Sequence, residues 1–142
     1  MEFKIKKRPE SGVSIVKLSY GDNYVITKCT SVDWLESEFN KTIGKYRRGG
    51  IPVTNFYFRF IKYLHKVDAK TLNCEVLFNS TNGYKVLKFE LAYLIENFGK
   101  PHCLNDNNVP YVPHTAAHKN GSKWLKQNEY LNFMKLLKDY NF

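Results

Sequence analysis

Val13-Ser14-Ile15-Val16-Lys17-Leu18-Ser19-Tyr20-Gly21-Asp22-Asn23-Tyr24-Val25-Ile26-Thr27 is the stretch that decides the fold. Val13, Ile15, Val16 and Leu18 form a short apolar run. Tyr24 to Thr27 is rich in aromatic and β-branched side chains, which fit a pleated surface. Between them, Gly21, Asp22 and Asn23 tolerate the positive φ of a tight turn. Two such runs joined by such a turn predict a β-hairpin.

Working outward, Thr30 and Asp33 have the spacing of a capping box. Trp34, Leu35, Phe39, Ile43 and Tyr46 then recur at helical intervals. The spacing leaves two ends open for this helix, Gly44 and Gly49-Gly50, and Pro52 blocks any continuation. From Asn55 to Val67 two periods compete. Phe56, Phe58 and Phe60 alternate like a strand, whereas Tyr57, Phe60, Ile61, Leu64 and Val67 fit a helix, and length favours the helix. Leu72 to Phe78 reads as a strand, and Ser80-Thr81-Asn82-Gly83 as a turn. Tyr84, Leu87, Leu91, Leu94, Ile95 and Phe98 make a third helical stripe, ended by Gly99 and Pro101. An irregular loop with several Pro, Asn and His follows, and from Asn128 Leu131, Met134, Leu137 and Tyr140 predict a last amphipathic helix.

The expected order is therefore β-β-α-α-β-α-α. It is an α/β (α+β) fold in which a hairpin plus one later strand make a small three-stranded sheet flanked by helices. Residues 1–9 read as a basic lead-in, 10–113 as the α/β domain, and 114–142 as a loop and C-terminal helix.

Composition bounds the chemistry. Apolar residues make up 43% of the 142, enough for a core and against disorder. Lys and Arg outnumber Asp and Glu by 22 to 13, a net charge of +9, which attracts polyanions. Cys29, Cys74 and Cys103 are odd in number and widely spaced, which argues for free thiols and a reducing compartment. No apolar run approaches the roughly 20 residues of a membrane span. The expected setting is the cytoplasm of a bacterial host or the interior of a virus particle, with no membrane partner.

The cations are concentrated. Between Glu38 and Asp68 there is no acid, while Lys41, Lys45, Arg47, Arg48, Arg59, Lys62 and Lys66 lie among tyrosines. Such a run suits phosphate contacts and base stacking. Glu90, at the edge of the third helical stripe, is a candidate ligand for one hard divalent cation, Mg2+ or Mn2+. His102, Cys103, His114 and His118 are candidate zinc ligands, although no CxxC or HExxH spacing accompanies them. Phosphate-loop, dinucleotide-glycine and nucleophile-elbow signatures are missing.

Gly12-Val13-Ser14, Tyr24-Val25-Ile26, the helix Phe89-Glu90-Leu91-Ala92-Tyr93-Leu94-Ile95 and the closing Phe98-Gly99-Lys100-Pro101-His102-Cys103-Leu104-Asn105 stand in an order that resembles the GIY-YIG endonuclease family. The resemblance spans about residues 10–113. It implies a nuclease fold in which Tyr24, Glu90 and Asn105 are the retained site residues and Glu90 holds the metal. Two of the family's parts are replaced: its first tyrosine is Ser14 and the last glycine of its second triplet is Ile26. The arginine expected near Leu35 to Glu38 is missing, and Arg47 and Arg48 come too late. The functional expectation is a DNA-binding protein of nuclease-like fold with weak or lost metal-dependent cleavage. Tyr24 and Glu90 should then share one positively charged hollow. Two alternatives stand beside it. One is a structural or interaction protein, such as a particle component or host-defence inhibitor, meeting a protein partner through residues 124–142. The other is an active endonuclease that draws an arginine from Arg47 or Arg59.

Overall fold

A computed structural model of the chain describes residues 1–50, 58–97 and 100–105. In chain order these residues form β1 (Glu2–Lys4), β2 (Val13–Tyr20), β3 (Asn23–Cys29), α1 (Val32–Arg47), α2 (Phe58–Lys66), β4 (Thr71–Ser80) and α3 (Gly83–Asn97). The mixed α+β class is as the sequence leads one to expect. The last expected helix and residues 114–142 lie outside the described residues.

The hairpin forms one side of the sheet, with β2 inside and β3 at the edge. β2 pairs antiparallel with β3 from Ser14↔Cys29 to Tyr20↔Asn23, so Gly21 and Asp22 alone make the turn. Gly21 takes φ +60° at the first central position, as a type II′ turn requires. On its other side β2 pairs antiparallel with β4, and Leu77 is the extra residue of a bulge between Ile15↔Phe78 and Val16↔Val76. Gly12 precedes β2 at φ +79°, where a Cβ would come within 2.8 Å of the Ser80 carbonyl oxygen, so only glycine fits this approach.

The sheet has four strands rather than the expected three, in the order β1-β4-β2-β3. The added strand, β1, comes from the segment read as a basic lead-in and runs parallel to β4. Its signal is the single buried side chain of Phe3, between exposed Glu2 and Lys4. Phe3 packs edge-on against Phe39 at 5.9 Å between centroids. Its N–H donates to Glu36 Oε2 at 2.6 Å. The Met1 ammonium donates to Asn40 and Arg8 pairs with Asp33, so α1 holds the segment at both ends.

Strand alternation divides the core into two layers. Val16, Leu18, Val25, Cys29, Leu72 and Cys74 face α1 and α2, and they pack with Leu35, Phe39, Ile43, Phe60, Ile61 and Leu64. Ile15 and Ile26 face α3 and pack with Val86, Phe78, Phe89 and Leu94. Among the described residues no helix is long and apolar enough to cross a membrane.

Two local expectations shift. The N-cap of α1 is Ser31, whose hydroxyl accepts from the Trp34 N–H, and not Thr30. Of the two ends left open for α1, the later one holds: the helix passes through Gly44 and stops where Gly49 takes φ +82°. α3 follows the expected stripe through Leu87 and Leu91, both buried, except at its start, where Val86 is fully buried and Tyr84 is 63% exposed under the Lys88 ammonium. The first turn of the helix therefore presents Tyr84 to solvent. The second helix forms as expected over Phe58–Lys66, and residues 51–57 lie outside the described set.

Candidate nucleic-acid interface

The site grows from the free side of β3, the edge strand of the sheet. After α3 the chain turns back at Lys100-Pro101-His102 and lays residues 102–105 along that edge. The Tyr24 N–H donates to the His102 carbonyl at 3.0 Å, and the Leu104 N–H donates to the Tyr24 carbonyl at 2.8 Å. Asn105 completes the pairing with its side chain. Its carboxamide accepts from the Ile26 N–H and donates to the Ile26 carbonyl, both at 2.9 Å. This side chain therefore stands in for one residue of a neighbouring strand, satisfying backbone groups that an exposed edge leaves open.

Between this strap and the hairpin turn lies an open hollow of about 610 Å3. Lys17, Ser19 and Tyr24 rise from the sheet, Gly21 and Asp22 form one wall, and Lys100, Pro101 and His102 form the other. The Lys17 ammonium lies 4.4 Å from the centroid of the Tyr24 ring. The Tyr24 hydroxyl donates to Asn97 Oδ1 at 2.6 Å. Burial, and then the neighbouring Cys103 and Glu96, push the Tyr24 phenol above its ordinary value of 10.0, so it stays protonated at neutral pH. Burial also raises the Cys103 thiol, with Arg59, Lys100 and Lys17 acting in the opposite direction. Lys17 and Lys100 both line the hollow, beside the strap. Arg59 reaches it round the sheet edge, where its Nη1 donates to the Asn105 carbonyl at 3.0 Å.

Glu90 is elsewhere on the same sheet face. Its half-buried carboxylate is 4.0 Å from Lys28 Nζ. Lys28 follows Tyr24 by four strand positions, roughly 13 Å. Glu90 precedes Asn97 by seven helical positions, roughly 10 Å. Tyr24 and Glu90 therefore share a face but not a hollow, which corrects the expectation that one cavity would hold both. The cation beside Glu90 is Lys28 and not an arginine; Arg47 turns to Asp68 at 3.6 Å. Ser14, at the position of the family's first tyrosine, is buried on the opposite face and accepts from Asn79 at 2.8 Å.

These surroundings do not fit a divalent cation. One carboxylate with an ammonium at its side repels rather than collects positive charge. No group of three or more His, Cys, Asp or Glu able to hold a metal occurs among the described residues, and His114 and His118 lie outside them. Burial raises the Glu90 carboxyl above its usual 4.5, with Lys28 pulling the other way. A raised carboxyl favours the fold most below the unfolded value and loses that contribution as pH climbs through the folded one. Glu90→Gln is therefore expected to melt at a higher temperature than the wild type at pH 7.5. The gap should close as pH falls toward 4.5 in a series of thermal melts.

The expected helical cations fall into two groups. Arg59, Lys62 and Lys66 occupy positions i, i+3 and i+7 of α2, all exposed, and so line one stripe that begins at Asn105. Lys45, Arg47 and Arg48 end α1 beside α2, joined to it by Tyr46, whose ring meets Phe58 and His65 edge-on at 6.1 and 5.1 Å. Lys41 turns to Glu38 at 3.4 Å. Lys17 and Lys100 had no role in the sequence reading, and His102, expected there as a candidate zinc ligand, instead lines the hollow. Lys17 carried a signal: it is a charge in the odd-numbered register of β2, on the face that buries Ile15.

No family model, curated protein or solved structure matches the chain.

Proposed function

We propose that the protein binds nucleic acid, DNA foremost, along a cationic track and does not cleave it. The track starts at Lys17 and Lys100 in the Tyr24 hollow, passes Arg59 and continues down α2 through Lys62 and Lys66. One observation carries the reading: Arg59 is anchored to Asn105 at 3.0 Å, which joins the hollow to the helix stripe although the two lie on different sides of the sheet. Arg59 to Lys66 covers roughly 10 Å of helix, enough to follow successive phosphates of one strand. Phosphate contacts of this kind give affinity that falls steeply with salt.

The arrangement argues against cleavage for separate reasons. Phosphodiester hydrolysis draws on charge stabilisation at the scissile phosphate and an activated nucleophile. Here Tyr24 is protonated and committed to Asn97, Glu90 faces a lysine, and Ser14 is turned away. The alternative of a protein-binding role rested on residues 124–142, which lie outside the described structure.

Titrating a fluorescein-labelled 20-bp duplex between 50 and 300 mM NaCl, with anisotropy as readout, tests the proposal. Binding whose affinity drops steadily with salt is expected, together with intact supercoiled plasmid after incubation with Mg2+ or Mn2+. No binding at 50 mM NaCl would remove the binding role. Plasmid nicking that Glu90→Ala abolishes would remove the non-cleaving one.

A further inference from the structure

We infer that the Tyr24 hollow receives an unpaired nucleotide, so that the protein prefers a nucleic acid with a single-stranded tail or frayed end. This rests on the nucleic-acid reading above and narrows it. The deciding feature is the depth of Lys17. It springs from the middle of β2, is partly buried, and lies folded over the Tyr24 ring at 4.4 Å rather than extended into solvent. Lys62 and Lys66, on the outer face of α2, are exposed and can meet any phosphate backbone. Lys17 lines the hollow between the Gly21-Asp22 turn and the Lys100-Pro101-His102 turn, so a phosphate that enters there meets its ammonium.

The walls of that entrance are held in place. The strap is hydrogen-bonded to Tyr24 on both sides, and the His102 ring lies 3.3 Å from Asn23 Oδ1. Tyr24 is fixed through Asn97, so it forms a rigid side of the hollow. A cavity of about 610 Å3 is of the size that takes one small ligand. A duplex keeps its bases paired and stacked inside, so seating one of its nucleotides in such a space first costs unpairing and unstacking that base. An unpaired strand bends freely and offers an unstacked base with open hydrogen-bonding edges. Lys17 and Lys100 meet its phosphate, while Ser19 and the Asp22 carboxylate offer acceptors to base N–H groups. The Asp22 charge also opposes entry of a second phosphate, which fits one nucleotide rather than a run of them.

Anisotropy competition among three ligands tests this: a blunt 16-bp DNA duplex, the same duplex with a five-nucleotide DNA tail, and one with a five-nucleotide RNA tail. A tail of either sugar is expected to raise affinity at least tenfold, and preference for one tail would identify which polymer supplies the nucleotide. Lys17→Met, which keeps most of the stem that packs on Tyr24, should bring the tailed-to-blunt ratio close to one. Lys100→Ala, on the opposite wall, should lower the same ratio. Equal affinity of the wild type for blunt and tailed ligands would overturn the inference and leave the duplex-binding reading standing. So would a Lys17→Met ratio that stays high. Failure to bind any of the three ligands would overturn both.

Discussion

Replacing Lys62 and Lys66 by glutamate is expected to weaken duplex DNA binding at least thirtyfold at about 0.15 M salt. Each phosphate contact to duplex DNA contributes about 0.9 to the slope of log affinity against log salt. Losing two contacts should flatten that slope by about 1.8, which at this salt concentration corresponds to roughly a factor of thirty. The introduced carboxylates add repulsion on top. Both lysines are exposed on α2, and Lys62 touches only the rim of the core, its ammonium 5.4 Å from the Phe58 ring centroid. The fold should therefore survive, and an unchanged thermal melt would confirm it. The informative control is Lys85→Glu with Lys88→Glu, an identical change in net charge placed on the first turns of α3. Those residues lie on the other face of the sheet, roughly 15 Å along the helix from the hollow. If both pairs weaken binding equally, the protein responds only to total charge and there is no track. If only the α2 pair does, the path from Lys17 to Lys66 is the binding surface.

This contrast also marks how far the sequence could be read. The hairpin, α1, β4 and α3 were legible because each writes its period into adjacent residues. Val25, Ile26 and the II′ turn at Gly21-Asp22 specify register locally. β1 was not legible, because a three-residue strand buries only Phe3 and draws its stability from distant Glu36, Asn40 and Phe39. The misplaced start of the α3 stripe has a similar cause. Tyr84 and Val86 are both apolar, and only the edge of the sheet determines which of them is covered. The helical cations were visible as a run without acids. The hollow was not, since Lys17, Asp22 and His102 come together from a strand, a turn and a strap separated by most of the chain. Glu90 does lie at the flank of its stripe, partly exposed. Its partner Lys28 lies on another element, and that partner turns a possible metal ligand into half of an ion pair.

Asn105→Ala should be the most damaging single substitution in the strap, at roughly 2–6 kcal/mol of stability. The resemblance to nucleases casts Asn105 as a site residue, but its carboxamide is committed to the backbone of Ile26, which is 3% exposed. Truncation leaves one donor and one acceptor of that buried residue without partners, and each orphaned group costs about 1–3 kcal/mol. For a chain of this size, the melting temperature should fall by about 10 °C. Amide hydrogen exchange gives the sharper readout. Ile26 should lose protection, while Val25, inside the hairpin and opposite Leu18, should lose much less. The same change removes the anchor that sets the Asn105 carbonyl before Arg59, and it loosens the turn that carries Lys100 and His102. Nucleic-acid affinity should therefore drop together with stability, although Asn105 itself need not touch a phosphate. A variant that keeps Ile26 protected and melts within 2 °C of the wild type would mean that the edge of β3 is held by something other than this side chain. The hollow would then lose its fixed wall.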